Sequence, residues 1–255
     1  MKKIIISFVL LSFCFVLSSC KERTLDDIMK DGKIIVATNA EFPPFEYLDG
    51  DTITGFDINL IKLYAKYLGV DIEINNIDFD GALLSVSSNK ADLVIAGVTK
   101  NEKREQSLSF SNGYFSASQV VIVKKNSNIS GTTIEEIRES LSQNNATIGA
   151  QAGTVGEYYA KGDSDWDFEI IPNTICQTYD NGALAIKALN NGQIDAVIID
   201  KLPAIELTKS YSELQILDTT LTEEEYAIGV KKGNESLVLS LIHISEPTRR
   251  VVISY

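Results

Sequence analysis

The chain has 255 residues, 44% hydrophobic and 23% charged, with a formal net charge of −12, which sets aside nucleic acid and an anionic membrane surface as main partners. Three cysteines (Cys14, Cys20, Cys176) and one histidine, His243, exclude a disulfide framework and a thiolate metal site built within one chain, and leave little for a nucleophile–histidine apparatus. The length suits one large domain or two small ones with an ample core.

Residues 1–19 read as a signal peptide: Lys2-Lys3 is a basic start, and Ile4 to Leu17 is an apolar run too short to span a bilayer comfortably. It ends in Leu17-Ser18-Ser19-Cys20, which resembles a bacterial lipobox, so Cys20 is expected to be lipidated and to anchor the mature chain. An ordinary secretory leader with a chance cysteine is the alternative. Residues 20–24 form a tether, followed by a short helix around Leu25–Met29 that Gly32 ends. Lys33–Thr38 is a strand. Residues 39–47 form a proline-stiffened loop rich in aromatics, and Asp49-Gly50-Asp51 is a turn. Gly55 to Leu68 has helical apolar spacing and stops at Gly69. A strand over Asp71–Ile77, a helix from Asp78 to about Asn89, and a buried strand over Ala91–Ala96 follow. Asn101 is the expected cap of a short helix carrying Arg104.

Alternating strands and helices imply a parallel sheet. Extended segments at Ser109–Ser111 and Phe115–Lys125 come next, and Gln119–Val123 reads as a central strand. The alternation then restarts: helix Thr133–Ser142, strand Ala146–Ala150, helix from Gly153 to Lys161, strand Phe168–Ile171, helix Asn181–Leu189, strand Ile194–Ile199, a helix from Asp200, and strand Leu214–Leu217. Tyr226–Val230 is a returning strand. The fold class is α/β with two halves and no internal repeat.

Several residues carry possible chemistry. Gly97, Thr99 and Arg104 follow a strand end, where open α/β sheets bind ligands, and a guanidinium suits a carboxylate. The alternative is a plain surface arginine. Gln151 to Gly156 is a glycine-containing strand-to-helix turn, either an anion site or simply structural. It lacks the lysine and spacing of a phosphate loop. Asp200 can meet an ammonium group or cap the next helix. Phe42, Phe45, Tyr47 and Phe79 can wall a pocket or fill the core. An arginine in one half and an aspartate in the other complement a zwitterion, so an α-amino acid held between the halves is the expected ligand.

The segments VATNAEFPPFEY (Val36 to Tyr47), GFDINL (Gly55 to Leu60), IDFDGALLSV (Ile77 to Val86), ADLVIAGVTKNEKR (Ala91 to Arg104), LSFSNGYF (Leu108 to Phe115), GAQAGTVGE (Gly149 to Glu157) and IDAVIID (Ile194 to Asp200) together resemble the bacterial extracellular solute-binding proteins of the polar amino-acid family, which serve ABC transporters. The resemblance implies a type II periplasmic-binding-protein-like fold. Lobe 1 would span residues 25–115 and 226–255, lobe 2 residues 119–221, with hinges at 114–118 and 222–225. It also implies roles: Arg104 on the ligand carboxylate, Gly97 and Thr99 on its α-groups, Thr154 and Val155 at a donating helix start, Asp200 on the α-ammonium, and Phe42 and Phe79 as aromatic walls. Asn39, Glu41 and Gln151 fall near the ligand side chain; a neutral Asn39 favours a neutral polar side chain, unless Glu41 supplies charge for a cationic one. The implied protein is extracytoplasmic, lipid-anchored and monomeric, with an amino acid and an ABC-transporter permease as partners. No catalysis, cofactor or metal is expected. The enzyme alternative is a dehydratase of prephenate-like acids, with Glu41 as general acid; a sensory lipoprotein without a transporter is another. The tail from about residue 241 departs from the family pattern and resembles a translated sequencing adapter. Cys176 has no implied role beyond a buried free thiol.

Overall fold

The computed structural model describes residues 23–245; the leader, the lipidation candidate Cys20 and the tail beyond 245 lie outside the described residues. Helix α1 (Leu25–Asp31) starts in a capping box between Thr24 and Asp27 and ends at Gly32, whose φ of 67° suits glycine. Strand β1 (Lys33–Thr38) follows. The aromatic loop then folds into a small antiparallel meander, β2 (Glu41–Phe42), β3 (Glu46–Asp49) and β4 (Thr52–Thr54), where a loop alone was expected. Helix α2 (Phe56–Leu68) buries Ile58, Ile61, Tyr64 and Ala65 and stops at Gly69. Strand β5 (Asp71–Asn76) leads to α3 (Phe79–Ser87), capped by the Asp78 carboxylate, which accepts from Gly81 N at 2.7 Å. Strand β6 shrinks to Leu93–Val94, shorter than the apolar run Ala91–Ala96 suggested. Helix α4 (Glu102–Glu105) and strand β7 (Leu108–Phe110) complete the first pass of lobe 1.

Strand β8 (Phe115–Ala117) crosses towards lobe 2. That lobe contains β9 (Gln119–Lys124), α5 (Ile134–Gln143), β10 (Thr147–Gln151), α6 (Val155–Lys161), β11 (Ile175–Tyr179), α7 (Gly182–Asn190), β12 (Ala196–Asp200), α8 (Lys201–Thr208) and β13 (Leu214–Ile216). The expected strand at Phe168–Ile171 is absent. A 3-10 turn, Ser164–Trp166, precedes that segment, and the edge strand is β11 instead. The chain returns through β14 (Glu224–Tyr226), β15 (Gly229–Lys231) and α9 (Glu235–Ser245), so the single returning strand of the sequence reading is split in two.

Each lobe has a five-stranded sheet, ordered β5-β1-β6-β15-β7 and β11-β10-β12-β9-β13. Neither is purely parallel. β15 runs antiparallel to β6 and β7, and β9 runs antiparallel to β12 and β13. In each lobe the antiparallel member is the strand that joins it to the other lobe, because the chain enters from the hinge side. Strands β8 and β14 pair antiparallel to form that hinge. Around it Phe42, Phe45, Phe115, Tyr114 and Tyr226 stack, with Phe45 and Tyr226 centroids 5.1 Å apart. Phe42 and Phe45 share a buried cluster with Ala185, Leu189 and Ile199 of lobe 2, so apolar packing as well as backbone joins the lobes.

Candidate functional site

The site lies where the carboxyl ends of β1, β6, β10 and β12 face each other across the cleft. Asn39, Phe42, Glu46, Phe79, Ala96, Gly97, Thr99, Arg104, Gln151, Thr154, Val155 and Asp200 line a small cavity. All the expected site residues except Glu41 are gathered there. Glu41 is exposed on β2, opposite Tyr47, because strand alternation turns it away from its buried neighbour Phe42. The carboxyl that reaches the cavity is Glu46, on β3, paired in register with Phe42.

Gly97 holds φ at +55°, and a Cβ there would sit 2.8 Å from the Phe42 ring, so only glycine fits between wall and strand end. Its N–H donates to Asp57 Oδ2 at 2.9 Å, and the same oxygen accepts from the Tyr114 hydroxyl at 2.7 Å. Thr99 donates its hydroxyl to Glu224 Oε2 at 2.6 Å, leaving its lone pairs for a ligand.

Arg104 is 7% exposed. The Asn101 side chain caps α4 by accepting from Arg104 N at 2.9 Å, which orients the short helix carrying it. Its guanidinium donates to Thr99 O at 2.8 Å and, across the cleft, to Gly153 O at 3.1 Å. Burial lowers its pKa to about 10, so it stays charged at neutral pH. The remaining N–H groups of the fork are available to an acceptor. A second bridge across the cleft joins Gln151 Nε2 to Asn39 Oδ1 at 3.0 Å.

The turn 151–156 is not an open anion cradle. Gly153 N donates to Glu157 Oε2 at 2.6 Å, and the Thr154 hydroxyl donates to Gln151 O at 2.7 Å. Asp200 stands at the N-cap position of α8 but makes no side-chain cap bond; its Oδ1 accepts from the Tyr226 hydroxyl. Burial, and then the charge of Glu224, push its pKa up to about 7, against the lowering hydrogen bonds from Tyr226 and Gln119.

Glu46 is fully buried, and neither carboxyl oxygen meets an N–H or O–H donor among the described residues. Its polar neighbour is another acid, Asp57, and a proton on one of the two carboxyls bonds it to the other. Burial first, then Asp57, raise the Glu46 pKa well above the usual carboxylate range. The sequence signal for Glu46 was weak: the Glu-Tyr pair after two prolines read as loop, and only the β2–β3 pairing turns it inward.

The model of the bacterial extracellular solute-binding proteins, family 3, matches residues 34–241. The chain belongs to that family. Among solute-binding relatives, the arginine-binding extracellular protein ArtP of Bacillus subtilis is 30% identical over 92% of this chain and 88% of its own length. A Gly52Ala mutant of arginine-bound ArgBP from T. maritima superposes with a TM-score of 0.77 at 31% identity, covering 87% of this chain and 98% of that one. The ancestral amino acid-binding protein AncCDT-1, a precursor of cyclohexadienyl dehydratase, gives 0.76 at 30% identity over 87% and 91%. As a family member the chain is an extracytoplasmic solute-binding protein. Among the described residues no helix is long and apolar enough to cross a membrane, and no cluster of acids, histidines and cysteines could hold a metal.

Proposed function

We propose that this protein captures an α-amino acid with a cationic side chain, of the L-arginine class, and presents it to the permease of an ABC importer. Arg104 takes the α-carboxylate and Asp200 the α-ammonium. The observation that carries the cationic assignment is Glu46, a buried carboxyl on the cavity wall with no donor of its own. With Arg104 against Asp200 and Glu46, the cavity complements one anionic and two cationic groups. A neutral Asn39 pointed towards a neutral side chain; Glu46 reverses that expectation, because its carboxyl, which holds a proton in the ligand-free protein, releases it when a cationic side chain arrives to compensate the buried charge. The relatives named for arginine support the same reading. Lipidation of Cys20, which would hold the receptor at the membrane, belongs to this proposal as well.

Isothermal titration of the mature protein against the twenty amino acids tests it. L-arginine is expected to bind, and Glu46→Gln to weaken it roughly a hundredfold while sparing L-glutamine. Binding of no amino acid, or equal losses for both ligands, would overturn the assignment. The dehydratase alternative has one supporting feature, since Glu46 would hold a proton in the cavity and AncCDT-1 is a dehydratase precursor. Exposed Glu41 is ill placed for that role. Phenylpyruvate released from prephenate decides between them.

A further inference from the structure

Lobe 2 carries a short turn with no counterpart among the expected binding residues. Its 3-10 segment, Ser164–Trp166, is set by the Asp163 side chain, which accepts from Asp165 N at 2.9 Å, and it closes with Asp167 at φ +57°. The turn is therefore locally pre-shaped. Its two outward groups both meet lobe 1. Asp165 pairs with Lys103. Trp166 lies over the neighbouring Arg104, with the guanidinium carbon 5.0 Å from the indole centroid. The same guanidinium carbon lies 5.2 Å from the centroid of Phe79. Tyr158, on α6, stacks behind the indole at 4.6 Å and 17°, fixing its plane.

We infer that Trp166 is a positioning residue for the carboxylate anchor: the Asp165–Trp166 turn clasps Lys103–Arg104 when the lobes meet, and so sets how long a ligand is retained. This rests on Arg104 gripping the ligand carboxylate. A guanidinium held against two rings has its orientation restricted, and its remaining N–H groups are left for the carboxylate. One of those rings comes from each lobe. Opening the cleft removes the indole and the Gly153 carbonyl together, so the anchor is fully oriented only in the closed form. A contact present only after closure stabilises the closed state without assisting encounter, and it acts on the dissociation rate. Trp166 is only half-buried, so replacing it leaves the lobe 2 core in place.

The variants Trp166→Ala, Trp166→Tyr and Asp165→Asn, with wild type, test this through L-arginine binding and release. Trp166→Ala is expected to weaken binding about tenfold through faster release, with association unchanged. Trp166→Tyr restores most of the loss, and Asp165→Asn costs only about two- to threefold, as for an exposed ion pair. Unchanged release in Trp166→Ala, or a tyrosine variant as impaired as the alanine one, would overturn the proposal. If wild type prefers another amino acid, the same comparison is made with it, since Arg104 meets groups that all share. If wild type binds none, the proposed function fails by itself, and fluorescence decides the clasp. Trp166 is the chain's only tryptophan. Acrylamide then quenches its emission more readily in Arg104→Ala than in wild type if the turn grips Arg104; equal quenching refutes it.

Discussion

A carboxyl buried beside a positive ligand must give up its proton for that ligand to bind well, and Asp200 is such a group. Its raised pKa of about 7 means that it is largely protonated in mildly acidic solution. The neighbouring titratable groups are Glu224 and Tyr226 from the hinge, with the Gln119 amide from β9 and Glu46 from the opposite lobe. The sign follows: above about pH 7 the carboxylate is ready for an ammonium group, and below it binding displaces a proton. Through Asp200, affinity for L-arginine is therefore expected to rise towards pH 8 and to fall by up to about tenfold per pH unit below 7. Titration calorimetry in buffers of different ionisation enthalpy should register the released protons. In Asp200→Asn the slope should flatten while affinity at pH 8 drops; an unaltered slope would remove Asp200 from the role. In the ligand-free protein the same raised pKa opposes folding as Asp200 ionises, so its contribution to stability declines from the ordinary carboxylate range up to about pH 7.

At the scale of elements, Asn101 was legible as a cap, and four other helices start in the same way. Thr24, Asp78, Asn101, Thr133 and Asn181 each precede a helix, and the side chain of each accepts a first-turn N–H. Such bonds are local and need nothing from the rest of the fold. Helix α4 depends most on its cap, since it spans only Glu102–Glu105 yet must aim Arg104. Asn101→Ala should cost about 1 kcal/mol in urea unfolding and weaken every amino acid ligand by a similar factor. A change in the order of ligand preference would contradict this. Strand β11 was illegible for the opposite reason: Ile175, Gln177 and Thr178 are exposed, so it shows no buried alternation and is defined only by pairing with β10. The Phe168–Ile171 segment looked more strand-like because Phe168 and Ile171 pack on lobe 2 without joining a sheet. Glu46 escaped notice similarly, as a two-residue pairing between β2 and β3 decides its direction.

Among the described residues two five-stranded sheets face each other across the cleft, and that organisation was legible because the strand–helix alternation restarts after Gly131. What could not be read was strand direction at the crossings, which depends on where the chain re-enters each sheet. The cross-cleft contacts, Arg104 to Gly153 and Gln151 to Asn39, define a closed arrangement. Ligand that favours this arrangement should contract the protein in solution. X-ray scattering with and without saturating L-arginine should show a smaller radius of gyration when ligand is present, and an identical radius would argue for a cleft that does not move.

The two crossings each bring a phenol to a buried acid. Tyr114, just before β8, holds the lobe 1 acid Asp57, and Tyr226, on β14, holds the lobe 2 acid Asp200. These rings also belong to the aromatic stack about which the lobes would pivot. One hydrogen bond therefore ties Asp200, the acid that lines the cavity, to a ring of the pivot. A proton or a cation arriving at Asp200 changes the acceptor that this ring holds, so the ligand's charge reaches the pivot through a single bond.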